Sequence, residues 1–163
     1  MPLLEEGQII TDPWNLVGTG NQQTISERRV VISFEELANF LENADPSIDI
    51  GVSLKSETDA ELLKPYITKL KLVVLNFPVF RDGRPFSQAR KLREMLKFNG
   101  EIRATGNVLP DQYQFLHRTG FSTVEVAETA DIALWHKAFH QFTESYQPSI
   151  VSEVRGKGLR WQI

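Results

Sequence analysis

The chain has 163 residues, 41% hydrophobic and 24% charged, with ten Gly, eight Pro and no Cys. This length suits one domain with a sizeable core, and the composition excludes a disordered or fibrous chain. No apolar run approaches the ~20 residues that cross a bilayer, so no membrane partner is expected. The lack of cysteine excludes disulfides, thiol catalysis and cysteine-ligated iron–sulfur clusters.

The opening MPLLEEGQII has neither the basic start nor the long apolar core of a secretory signal, so the expected location is the cytoplasm. The net charge of −3 conceals an asymmetry. Residues 1–62 carry three basic and twelve acidic side chains. Residues 81–103 carry seven basic ones (Arg81, Arg84, Arg90, Lys91, Arg93, Lys97, Arg103) against Asp82, Glu94 and Glu101. A compact basic segment in an acidic chain points to a local anion site and away from a nucleic-acid surface. Lys91, Arg93 and Lys97 read as a solvated helix face.

Residues 1–29 read as a peripheral arm, punctuated by Asp12-Pro13 and Gly18. The pattern then settles into alternation. Val30 to Ile32 is a short strand, and Ser33 with Glu36 has capping-box spacing ahead of an apolar stripe at Phe34, Leu37 and Leu41. Ile48 to Leu54 is the next strand. Thr58 to Glu61 repeats the capping-box spacing, and Pro65 must kink or split the helix that follows. Leu70 to Phe77 (LKLVVLNF) is apolar almost throughout, as in a central parallel strand buried on both faces.

A helix over Phe86 to Lys97 turns Ala89, Leu92 and Leu96 inward, and Glu101 to Thr105 is a strand. Asp111 to Arg118 is a helix closed by Gly120, Thr123 to Val126 a strand, and Asp131 to Phe142 a helix with Ile132, Trp135, Phe139 and Phe142 inward. These alternations make an α/β domain over residues 30–146 with a mainly parallel sheet. Periodicity does not separate part of a TIM barrel from a small doubly wound sheet. Residues 147–163 form an irregular tail in which Trp161 is expected to dock on the body or on a partner.

Ligands of parallel sheets collect beyond the carboxyl ends of the strands. The richest such loop runs from Asn76 to Arg90. Asp82-Gly83 is a tight-turn pair, Ser87 can cap the next helix, and Arg84 and Arg90 flank that end. Free amides with guanidinium forks suit a small oxyanion. A structural role competes at each position: Asp82 closing the turn, Ser87 capping, Arg84 pairing with Asp82. Phe77, Phe80 and Phe86 read as core packing.

In the next loop, Arg103 lies between Ile102 and Ala104 in a strand, so it is either ion-paired or aimed at a ligand. Asp111 after Pro110 suits the first helical turn, with general acid/base work as the competing role. Gln112 is placed to hydrogen-bond across to the first loop. His136 and His140 have the i, i+4 spacing of a metal pair, but HKAFH lacks the glutamate of the zinc-protease signature, and no metal site is expected. The loops match neither GxxxxGK[ST] nor GxGxxG.

The segment Leu75-Asn76-Phe77-Pro78-Val79-Phe80-Arg81-Asp82-Gly83-Arg84, with Ser87-Gln88-Ala89-Arg90, Gly100 to Ala104 and Asp111-Gln112, resembles a bacterial family of domains of unknown function. Trp14 and Tyr146-Gln147-Pro148 share the likeness, which extends over nearly the whole chain. Members are often labelled as a probable oxidoreductase involved in sulfite reduction, and the resemblance implies a role beside assimilatory sulfite reductase.

The residues argue for an indirect role. Six-electron reduction of sulfite calls for siroheme, an iron–sulfur cluster, a flavin or a nicotinamide, and neither cluster ligands nor a dinucleotide fingerprint is present. The expectation is an accessory or oxyanion-binding protein without a cofactor of its own, built around Arg84, Ser87, Arg90, Arg103 and Gln112. Two alternatives stand: a barrel-like enzyme with Asp82 or Asp111 as acid/base on an anionic substrate, and a purely structural partner anchored by Trp14 and Trp161.

Overall fold

A computed structural model describes residues 1–16, 28–141 and 149–150. The tail from 151 onward, with Trp161, and residues 17–27 and 142–148 lie outside the described residues. Leu3–Glu5 (β1) and Gln8–Ile10 (β2) form an antiparallel hairpin. Its two-residue turn, Glu6-Gly7, has positive φ at both positions, 48° and 79°, the geometry that matches strand twist. The remaining strands are Asn15–Leu16 (β3), Arg29–Ser33 (β4), Asp49–Leu54 (β5), Leu70–Phe77 (β6), Glu101–Gly106 (β7) and Thr123–Glu125 (β8). The helices are Phe34–Asn43 (α1), Arg84–Arg90 (α2), Tyr113–Arg118 (α3) and Ile132–Phe139 (α4). None of the described helices is long and apolar enough to cross a membrane.

The eight strands lie in the order β2-β1-β8-β7-β6-β5-β4-β3, and β3 to β8 are all parallel. Neighbours in space from β3 to β8 are therefore neighbours in sequence, the order of a β/α barrel and not the reversing order of a doubly wound sheet. Right-handed crossovers from β4 through β8 place those connections on one face. That face holds the main core, where Val52, Val73, Leu75, Ile102 and Val124 meet Leu37, Ala89, Leu92, Leu116 and Trp135. Each of the Val, Leu and Ile side chains contributes roughly 1.5–3 kcal/mol by leaving water.

The sheet is open but curled. Eight strands about 4.8 Å apart would hold the edges of a flat sheet ~34 Å apart, whereas the chain from Ile10 to Asn15 spans at most ~18 Å. Residues 11–14 make that crossing over the face free of helices, where Trp14 packs on Val31, Leu72 and Val74. The first sixteen residues, read from sequence as part of a peripheral arm, are thus built into the sheet and across it, and Leu3 and Leu4 are core residues. Glu6-Gly7 does not resemble the commonest hairpin turn pairs, and three-residue strands carry little periodic signal.

Most other elements fall where the apolar pattern puts them. Between β5 and β6 the predicted helix is split at Pro65 into two 3-10 turns, Ala60–Leu63 and Ile67–Lys69. Asp59, not Thr58, caps the first, accepting from the Glu61 amide. The helix expected over Phe86 to Lys97 starts earlier, at Arg84, because Pro85 suits its first turn and Asp82 accepts the Arg84 amide. It widens into a π turn over Lys91–Met95, closed by the Leu96 amide on the Lys91 carbonyl.

Arg93 corrects the expectation of a solvated face. It donates to the carbonyls of Gly120 (3.0 Å), Phe98 (2.6 Å) and Gly100 (2.7 Å) and to Ser122 Oγ (3.1 Å). One guanidinium thereby joins the two loops that lead into β7 and β8. Gly120 permits this: its φ is +108°, and a Cβ there would lie 2.7 Å from Arg93 Cγ.

Candidate functional site

The loops at the carboxyl ends of β6, β7 and β8 face one another. Their backbones are tied together by side-chain amides. Asn107 Nδ2 donates to the Pro78 carbonyl (2.7 Å), and Gln112 Nε2 donates to the Phe80 carbonyl (2.7 Å) while its Oε1 accepts from the Leu109 amide. Gln112 thus bridges to the first loop as its position suggested. Gly106 lets β7 turn beneath this pair: its φ is +91°, and a Cβ would meet the Phe77 carbonyl oxygen at 2.5 Å.

Between the three loops and α4 lies a cavity of about 740 Å³. Val79, Phe80, Val108, Leu109 and Leu134 supply much of its wall, over a floor that includes Trp135. Phe80, on the first loop, is 53% exposed and Leu134, on α4, 50%, and both face the cavity. Phe80 therefore stands apart from Phe77 and Phe86, which do pack together edge to face at 5.1 Å. The lining residues include one cation, Arg81, and one carboxylate, Asp131. Asp131 is turned onto the first amides of α4, accepting from Ala133 and Leu134. Arg81 has no ion pair or hydrogen-bonded side-chain partner among the described residues.

The predicted oxyanion residues are dispersed instead of gathered. Arg84 grips Asp82 through Nε (2.9 Å) and Nη2 (2.7 Å). That guanidinium, helped by the Arg84 amide and Ser56 against the cost of burial, holds the Asp82 carboxyl well below the usual carboxylate range. A general acid needs the opposite shift, and Asp82 here is the ion-pair partner of Arg84. Ser87 is the fourth residue of α2 and not its cap. Arg90 pairs with Glu94 one turn on, in solvent. Gln88, in the same motif, is buried and donates to the Lys55 and Thr58 carbonyls, fastening the loop after β5 to α2.

Arg103 resolves as ion-paired. Its side chain is 5% exposed and lies on the helix-free face, in mid-strand. It meets Asp12 through both terminal nitrogens (2.7 and 2.9 Å) and Glu101 through Nε and Nη2. Thr123 Oγ1 and the Trp14 indole N–H also donate to Glu101. This cluster straps residues 12–14 across the sheet.

Asp111 lies in the 3-10 turn Pro110–Gln112, exposed, beside a second groove of about 430 Å³ that shares Leu109, Pro110 and Leu134 with the first. His136 and His140 stack at 4.4 Å, with His140 Nδ1 against the His136 carbonyl. Among the described residues no three metal-ligating side chains converge.

Arg81 and Asn107 were missed as site residues. The available signals were an arginine just past the strongest strand and an asparagine following a glycine at the next strand's end.

The sequence profile of a family of bacterial proteins of unknown function (DUF934) matches residues 51–155, and the chain belongs to that family. The matched region contains most of β5, all of β6 to β8 and all three loops of the cavity. No curated protein matches the sequence.

Proposed function

We propose that this member of the family is an anion-binding accessory protein of assimilatory sulfite reduction, acting beside the reductase and not as its redox centre. The observation that carries the binding part is the 740 Å³ cavity at the carboxyl edge of the central strands, with Arg81 as a cation left over from the ion pairing around it. Ligand cavities run from about 300 to 1,000 Å³ and favour this edge of α/β sheets. Loops pre-tied by Asn107 and Gln112 lose little freedom when a ligand arrives. The link to sulfur assimilation is supported by the FPxFxDGR and SQAR resemblance.

Deleting the chain from its source bacterium tests the role. Growth on cysteine should be normal, and growth on sulfate or sulfite as sole sulfur source should slow; equal growth on all three would overturn the assignment. Pull-down of a sulfite reductase subunit by the tagged chain would locate the partner.

A further inference from the structure

The cavity is too large and too apolar for the small oxyanion that the sequence suggests. We infer that it takes an organic anion with an apolar body, its charged end on Arg81 and its body against Phe80, Leu109 and Leu134. This rests on the reading that the edge binds a ligand and names what that ligand is.

Three observations carry it. The first is size. A sulfite-sized ion displaces about two waters at ~30 Å³ each, less than a tenth of the 740 Å³ available. The second is charge. A bare oxyanion facing one solvated guanidinium gains little over water, and the lining residues include no second cation to help. The third is the wall. Val79, Phe80, Leu109 and Leu134 stay between 41% and 53% exposed and gather on one cavity, four of the nine large apolar side chains left exposed among the described residues. An apolar body laid on them supplies the free energy that the single charge cannot. Asp131 spends its Oδ1 on the Ala133 and Leu134 amides at the amino end of α4, whose dipole offsets part of its charge.

The probe is 8-anilino-1-naphthalenesulfonate, which joins an apolar body to a sulfur oxyanion. Its uncharged relative N-phenyl-1-naphthylamine and inorganic sulfate complete the set. Titration of the native chain followed by fluorescence should show one saturable sulfonate site. Arg81→Gln should weaken the sulfonate about threefold to fivefold, the upper end for a solvent-exposed ion pair, and leave the uncharged probe unchanged. Leu134→Asp should weaken both. Leu134 is exposed, and an unchanged circular dichroism spectrum checks that the variant is folded; Phe80→Ser serves as the second wall variant.

Sulfate up to 10-fold above the sulfonate concentration should not displace the probe. Equal sulfonate affinity in wild type and Arg81→Gln would overturn the inference, as would displacement by sulfate or binding indifferent to both wall variants. The growth assay reads the sulfur role without these probes, so failure of one does not imitate failure of the other.

Discussion

Replacing Arg103 by Met removes the cation from a cluster that also holds Asp12 and Glu101. The guanidinium makes four hydrogen bonds to the two carboxylates, at 2.7 to 3.1 Å, and is 5% exposed. Breaking a buried pair by deleting one partner costs about 3–5 kcal/mol, chiefly because the other charge stays behind without compensation. Here Asp12 is 35% and Glu101 22% exposed, so water recovers part of that loss and the lower end, about 3 kcal/mol, is expected. For a chain of this size each kcal/mol moves the midpoint by roughly 2–4 °C, giving a fall of ~6–12 °C. Thermal unfolding at pH 7, followed by circular dichroism, measures it. Adding Asp12→Asn and Glu101→Gln to Arg103→Met should recover most of the loss, since no stranded charge remains. A single variant melting within 2 °C of wild type, or a triple variant no better than the single, would refute the reasoning.

Acid should act through the same residues. Burial raises the Asp12 pKa, but hydrogen bonds from Arg103 and the Trp14 amide and the Arg103 charge outweigh it, leaving it below the ordinary 3.8; Arg84 lowers Asp82 likewise. Depressed folded values mean that the unfolded chain binds more protons, so this stability is complete above about pH 5 and is lost as pH falls through the folded values. Urea unfolding between pH 2 and 7 should show that decline, and Asp12→Asn should flatten it. Arg93→Ala strands the Phe98, Gly100 and Gly120 carbonyls and should cost at least about 2 kcal/mol by urea unfolding. Gly106→Ala forces a side chain into a positive-φ position against the Phe77 carbonyl; about 1–3 kcal/mol should be lost, and sulfonate binding should weaken with it.

The alternation of strands and helices was legible because burial on a strand or helix repeats with a local period, and short windows contain it. LKLVVLNF reads as a central strand from its apolar run alone, and β6 is indeed flanked by β5 and β7. The carboxyl-edge loops were found by the same means. What the sequence hid is pairing over distance. Arg103 and Asp12 are 91 positions apart, and nothing local to either announces the other. Arg93 sits on a helix with the spacing of a surface residue, yet the turn of the chain at Lys97 to Gly100 brings carbonyls to it.

The arginines of the basic segment look alike in sequence because charge is a property of the residue; whether a charge is spent is a property of its neighbours. Residue order determined that a βα sheet would form and that the loop and helix after its central strand would be basic. Tertiary structure decided which guanidiniums were consumed, Arg84 by Asp82 and Arg103 by Asp12 and Glu101, and so left Arg81 beside an apolar wall. Curling the sheet brings residues 11–14 across its helix-free face, and only that closure supplies Arg103 with the carboxylate that takes it out of the site.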